Sequence, residues 1–260
     1  MMRPLMLLAF LALSGVASAQ EEVRFPGDAA EIKASMYRPV GDGPFPAVIV
    51  LHGCGGPDYH HTGWAQKLAG WGYVALVPDS FGSRGESSIC TKVFRVPPQL
   101  RANDVNGAAA YLASQPFIAK GRSGVLGFSH GGWTIMKGVQ ADSGWAARGI
   151  KGAVAYYPYC DVQADRNIAL PLLVQMGDKD DWTPPELCKA LFASGIRQPD
   201  LVEAVYYPDA YHAFDRRGAT GSVMGFGSDG TVSRHRLEYD VRATRDAEAR
   251  TQAFFARLLR

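Results

Sequence analysis

SGVLGFSHGGWTIMKGVQA, residues 123–141, joins an apolar run to a helix-like segment through glycines 127, 131 and 132, which crowd around one serine. Residues 123–128 are nearly continuous in apolar character, the pattern of a strand covered on both faces in a parallel sheet. Gly127-Phe128-Ser129-His130-Gly131 then satisfies G-x-S-x-G between that strand and a helix spanning about 131–141, the context this turn requires. Neighbours with side chains would collide with strand or helix in so sharp a bend, and glycine relieves the crowding. The helix N-terminus adds a positive dipole end beneath the serine. A glycine-rich turn whose serine only caps the helix fits the same five residues, so the decision falls to partners elsewhere in the chain.

Working outward, further strand-like runs are AVIVLH (47–52), YVALVPD (73–79), GAVAYYP (152–158), PLLVQMG (171–177) and VEAVYYP (202–208). Helix candidates lie between them at about 63–71, 99–114 and 185–194. A last one at about 240–259 carries the stripe Ala243, Ala247, Phe254, Phe255, Leu258 and Leu259. Residues 23–37 form two short alternating segments around PGDAA, an antiparallel edge hairpin. Strand–helix alternation predicts an α/β fold with a mostly parallel, doubly wound sheet and flanking helices, in one domain over residues 20–260. Residues 213–236 read as a glycine-rich loop too long to be only a connector.

The first nineteen residues are expected to lie outside that fold. Arg3, the apolar run LMLLAFLALSGV and the small-x-small ending Ala17-Ser18-Ala19 read as an export signal, with the mature chain starting at Gln20. Removing Arg3 with this segment leaves 26 Lys and Arg against 25 Asp and Glu, a balance that gives no electrostatic case for nucleic acid or a membrane surface. The four cysteines, Cys54, Cys90, Cys160 and Cys188, contain no C-x-x-C, which argues against zinc. An even number in an exported chain reads as two disulfides with three possible connectivities. Cys54–Cys90 with Cys160–Cys188 is favoured because each pair would join consecutive units.

A serine hydroxyl needs a base within hydrogen-bond reach, and the base needs an orienting group. Of six histidines, His212 follows the last strand at the carboxyl edge of the sheet, where ligands bind in such folds. His130 is expected to pack, His52 to shape its loop and His235 to sit in the long loop; His60 and His61 have no further ligand spacing. The acid should follow the penultimate strand, where MGDKDDWTPP offers Asp178, Asp180 and Asp181. Asp180, in Gly177-x-x-Asp180-x-x-Thr183-Pro184, is the first choice. Oxyanion donors are expected from the backbone N–H groups of His130, directly after the serine, and Cys54, in the loop LHGCGG whose glycines permit close approach.

With these residues placed, the chain resembles the dienelactone hydrolase family of α/β-hydrolases. The resemblance rests on AVIVLHGCGG, WGYVALVPDSFGSRG, GVLGFSHGG, MGDKDDWTP and YPDAYHAFD. It implies that Asp180 and His212 occupy the family's acid and base positions. The best-known members carry a cysteine where this chain has Ser129, with an acid near the oxyanion loop where this chain has Gly53, so their thiolate mechanism does not carry over. Arg84 falls one residue from the position at which such enzymes grip a substrate carboxylate, which implies anion binding; a surface arginine tying down its loop is the other reading. Trp182, Phe128 and Tyr159 are candidates for an apolar pocket or for core.

The expectation is a periplasmic or secreted serine hydrolase that cleaves a small-molecule ester or lactone through an acyl-enzyme on Ser129. It needs no cofactor or metal and has no nucleic-acid or membrane partner after signal removal. Acyl transfer or peptide cleavage on the same triad, or a catalytically dead binding protein, are the alternatives.

Overall fold

Val48, Ile49, Val50 and Leu51 follow one another without alternation and are all buried, so both faces of their strand are covered. In the computed structural model, which describes residues 20–260, this strand is β3 (Phe45–Leu51), near the middle of an eight-stranded sheet. The other strands of that sheet are β1 (Gln20–Pro26), β2 (Glu31–Tyr37), β4 (Val74–Asp79), β5 (Ile118–Phe128), β6 (Ile150–Tyr156), β7 (Leu172–Gly177) and β8 (Val202–Tyr207). The spatial order is β1-β2-β4-β3-β5-β6-β7-β8. β1 and β2 form the expected antiparallel hairpin at one edge, and β3 to β8 run parallel.

Helices α2 (Pro98–Ser114) and α3 (His130–Gly138) pack together on one face. On the other lie α1 (Tyr59–Gly70) and α5 (Val241–Leu259), joined by Lys67–Glu248 and by Arg260 donating to the Trp71 carbonyl. Gly124 of β5 shows how close the second layer comes, since a Cβ there would sit 2.7 Å from the Phe255 ring. α4 (Pro185–Ala193) connects β7 to β8. The expected stripe of α5 is buried at Ala243, Ala247, Phe254, Phe255 and Leu259, with Leu258 only partly covered.

Two expectations need correction. α1 begins at Tyr59, several residues before the apolar pattern does, because Asp58 caps it by accepting the His60 N–H and the His61 side chain bonds back to the Asp58 N–H. The stretch 213–236 is not a plain loop, for β9 (Thr220–Phe226) and β10 (Val232–Glu238) pair antiparallel through most of it. Asp229 closes their turn by accepting from the Thr231 N–H and hydroxyl. The inner face of this hairpin sends Val223 and Leu237 onto a small apolar cluster of Cys54, Phe81, Ile89, Val96 and Trp182, separate from the main core.

The cysteines pair as Cys54–Cys90 and Cys160–Cys188, the favoured connectivity. Among the described residues no helix is long and apolar enough to cross a membrane. The expected export segment, residues 1–19, lies outside the described residues.

Candidate active site

β5 ends at Phe128 and α3 begins at His130, so Ser129 alone makes the turn, at φ 53° and ψ −113°. A non-glycine residue held there stores backbone strain. The strain is sustained by close packing on both sides. A Cβ on Gly127 would overlap the Gly131 carbonyl, and one on Gly131 would overlap the Leu51 carbonyl of the neighbouring strand. Ser129 makes no side-chain cap hydrogen bond to its helix, so its hydroxyl is not occupied as a cap.

The hydroxyl instead faces His212, with Oγ 3.0 Å from Nε2. His212 lies five residues beyond the end of β8 and is 2% exposed. Its Nδ1 is 2.7 Å from Asp180 Oδ2, which fixes the proton on Nδ1 and leaves the Nε2 lone pair for the serine. The imidazole is held between the rings of Tyr157 and Trp182, at centroid distances of 4.6 and 4.9 Å.

Of the three candidate acids, only Asp180 reaches His212. Its Oδ1 accepts the backbone N–H groups of Trp182 and Thr183, both at 2.9 Å, and its Oδ2 accepts the Thr183 hydroxyl at 2.9 Å. Asp178 accepts from Lys189 Nζ, and Asp181 accepts the Arg236 N–H.

The loop His52-Gly53-Cys54 passes over the serine so closely that a Cβ on Gly53 would stand 3.6 Å from Ser129 Cβ. Cys54 borders the same cavities as Ser129. The disulfide holds it to Cys90, and its carbonyl accepts the Ile89 N–H at 2.9 Å. His130 opens α3, so its backbone N–H lacks a helical partner and is free for an incoming oxyanion.

Arg101 of α2, unremarked in the sequence, ties these two donors together. Fully buried, it donates one Nη to the His52 carbonyl at 2.9 Å and the other to His130 Nδ1 at 2.9 Å. Burial, reinforced by the Arg101 charge, pushes the His130 imidazole down to about 3. Neutral His130 therefore accepts from Arg101 and directs its Nε2–H toward the Val93 carbonyl, 3.3 Å away. Burial likewise lowers Arg101, to about 9. The available signal was positional: Arg101 occupies the helical stripe continued by Val105, Ala108 and Leu112, where an apolar residue belongs.

A second buried group supports Tyr157, itself at φ 38°. Asp215 accepts the Tyr157 hydroxyl at 2.7 Å, His60 Nε2–H at 2.9 Å and Trp64 Nε1–H at 2.9 Å. Burial pushes the Asp215 carboxyl up, but His60 and these hydrogen bonds outweigh it and hold it below its ordinary value. The donor atoms of Asp58, His60 and His61 lie within 4.8 Å of one another, the spacing of a possible metal cluster. They are already committed, His60 to Asp215 and His61 to Asp58.

Ser129 sits where two cavities meet. One, of about 360 Å³, runs past Phe94, Trp133, Tyr159 and Phe226. The other, of about 370 Å³, is bordered by Phe128, His60, His61 and Arg216. Trp182 lines both, belongs to the small buried cluster, and stacks on His235 of the hairpin at 5.1 Å. Arg84 corrects the other substrate-binding expectation. Its guanidinium grips Asp104 through both Nη atoms, each at 2.9 Å, and also donates to the carbonyls of Ser80 and Asp28, so it ties down its loop and borders neither cavity.

The dienelactone hydrolase family model matches residues 32–259. A Methylorubrum extorquens protein assigned as a carboxymethylenebutenolidase is 27% identical over 207 residues, covering 74% of this chain and 71% of its own length. A Bradyrhizobium protein assigned as a 2-oxo-3-(5-oxofuran-2-ylidene)propanoate lactonase is 26% identical over 193 residues, covering 70% of this chain and 78% of that one. Among solved structures, a protein from Klebsiella pneumoniae subsp. pneumoniae described as a dienelactone hydrolase superposes with a TM-score of 0.74 at 23% identity, covering 93% of this chain and 99% of its own. A dienelactone hydrolase-like promiscuous phosphotriesterase from metagenomic libraries gives 0.73 at 18% identity, covering 94% and 100%. The match runs from β2 to the end of α5 and takes in the serine turn, the Asp180 loop and His212, so this chain belongs to the dienelactone hydrolase family and is a hydrolase of the α/β-hydrolase fold.

Proposed function

We propose that the protein is a serine hydrolase that opens a carboxylic ester or lactone through an acyl-enzyme on Ser129. The observation that carries this reading is the unbroken hydrogen-bond chain from Ser129 Oγ through His212 to Asp180. As Oγ attacks the carbonyl carbon, its proton passes to His212 Nε2, and Asp180 stabilises the imidazolium. The tetrahedral oxyanion takes hydrogen bonds from the Cys54 and His130 N–H groups, two donors fixed before the reaction begins. Collapse breaks the carbonyl–alkoxy bond, and the leaving oxygen takes the proton from His212. Water then gives a proton to Nε2 and attacks the acyl carbon, and collapse breaks the acyl–Oγ bond as His212 returns the proton to Ser129 Oγ and the acid leaves. A lactone follows the same course with its alcohol still attached to the acyl group, and the name of the Bradyrhizobium relative is the reason to include lactones.

We further propose that residues 1–19 direct export and that the chain works from Gln20 onward outside the reducing cytoplasm. The two disulfides support this, since such bonds persist in oxidising compartments.

The test is a fluorophosphonate read by intact mass. A single adduct is expected on the protein and none on Ser129→Ala, which should also lose about 10⁴-fold or more in ester turnover while keeping its unfolding midpoint. Well-folded protein that takes no adduct would sink the reading.

A further inference from the structure

The two cavities that meet at Ser129 differ in chemistry. Among the residues lining the first, Phe94, Trp133, Tyr159, Trp182 and Phe226 supply aromatic rings. Three contacts between them are edge-on: Phe94 to Trp133 at 6.2 Å and 77°, Phe94 to Phe226 at 5.6 Å and 79°, and Trp133 to Tyr159 at 5.0 Å and 71°. Such an array offers ring faces and ring edges together, which is the environment a further aromatic ring prefers. The space suffices, because a cavity of about 150 Å³ already admits benzene.

Charge narrows the class. The lining holds one charged side chain, Asp161, which is paired with Lys137 at 3.4 Å. His130 also borders the cavity and is held neutral by burial and Arg101. Among the described residues no cationic side chain lines this arm to receive an anion. Phe94 meanwhile stays 65% exposed, a large apolar side chain kept in water at the edge of the cavity, where an apolar occupant would cover it.

We propose that the substrate is an uncharged ester bearing an aryl group on one side of its carbonyl, with the ring in the cavity edged by Phe94, Trp133 and Phe226. This rests on Ser129 being the nucleophile. Each good ring-on-ring contact is worth about two- to tenfold in binding beyond what equal apolar area provides. A preference over a saturated ring of similar size therefore isolates it.

The experiment compares matched pairs whose carbonyls are equally reactive. On the acyl side these are methyl 3-phenylpropanoate and methyl 3-cyclohexylpropanoate; on the alcohol side, benzyl acetate and cyclohexylmethyl acetate. In at least one pair the aryl member should lead by about tenfold or more in kcat/KM, and Phe94→Ala with Phe226→Ala should shrink that ratio to within about threefold. A para-carboxylate on the favoured ring should remove the advantage. Protein that takes the fluorophosphonate at Ser129 yet shows no aryl preference, or turns over none of the four esters, would overturn this proposal alone, as would a preference that survives the double variant. Protein that takes no fluorophosphonate would overturn the hydrolase reading and this inference with it.

Discussion

Arg101 shows how one side chain can set the spacing of two groups that the proposed reaction would use. Its planar fork satisfies the His52 carbonyl and His130 Nδ1 at once, so the loop that carries Cys54 and the first residue of α3 keep a fixed separation. Lysine at this position would retain charge and length but not the two divergent donors. Arg101→Lys is therefore expected to lower kcat by about 10- to 100-fold with KM within about threefold, since the lost interaction belongs to the oxyanion rather than to the bound ester. Steady-state kinetics with an activated ester check the split, and a rise in KM with kcat unchanged would mean that Arg101 shapes only the pocket. Ser129 and His212 were legible from the sequence because each is marked by a short local pattern. Asp180 is one of three acids in four residues, and its bond to His212 and the hydrogen bonds from Trp182 and Thr183 distinguish it only in three dimensions. Arg84 stayed open between anion binding and tying down its loop because its partner, Asp104, lies 20 residues away on α2, beyond the reach of any local motif.

The buried cores of the parallel strands could be read because burial on both faces leaves continuous apolar runs, whereas β5 starts at Ile118, five residues before its run, through polar residues that carry no such signal. The hairpin of β9 and β10 could not. Half of its strand residues are exposed and β9 contains two glycines, Gly221 and Gly225, so neither an apolar run nor clean alternation marks them. This inconspicuous hairpin is nonetheless wired into the site. The Phe226 N–H reaches the Cys90 carbonyl at 2.8 Å, the Phe226 carbonyl accepts from Trp182 Nε1 at 3.0 Å, and Leu237 bridges to His212. Gly225 lies directly against the Trp182 ring, and an added Cβ would overlap it. Gly225→Ala should push Trp182 off its stack with His212 and His235, lowering kcat by about 10- to 100-fold as the imidazole loses its side support. Tryptophan fluorescence would report the displacement, and unchanged kcat with a shifted spectrum would release the hairpin from any part in orienting the base.

Three histidines, His52, His61 and His130, are buried, and burial holds each below its ordinary value. In the unfolded chain the same groups bind protons below about pH 6.5. Unfolding therefore takes up protons in acid, and the stability that these groups contribute is complete above about pH 6.5. It falls as pH drops, toward about 3 for His130. The slope is roughly 1.4 kcal/mol per pH unit for each histidine still neutral in the fold. Urea midpoints taken from pH 7 to pH 5 should decline steadily, whereas a flat profile would mean that the fold accepts protons on these rings. The depressed carboxyl of Asp215 adds loss of the same sign at lower pH. The linear chain suggested a packed His130 and a loop-shaping His52, but the burial that lowers all three rings, and the Arg101 charge beside His52 and His130, come from residues distant in sequence.

Ser129, Tyr157 and Ala213 all carry side chains at positive φ, and all three lie at or beside the hydrogen-bonded pair Ser129–His212, at the ends of β5 and β6 and directly after His212. Glycine would hold each backbone position with less strain. Random substitution filtered only for stability would thus tend to erode these positions toward glycine. In a lineage that had abandoned the reaction, they are where decay would first be recorded, which makes the three side chains a marker, readable in any set of descendants, of whether selection for chemistry is still in force.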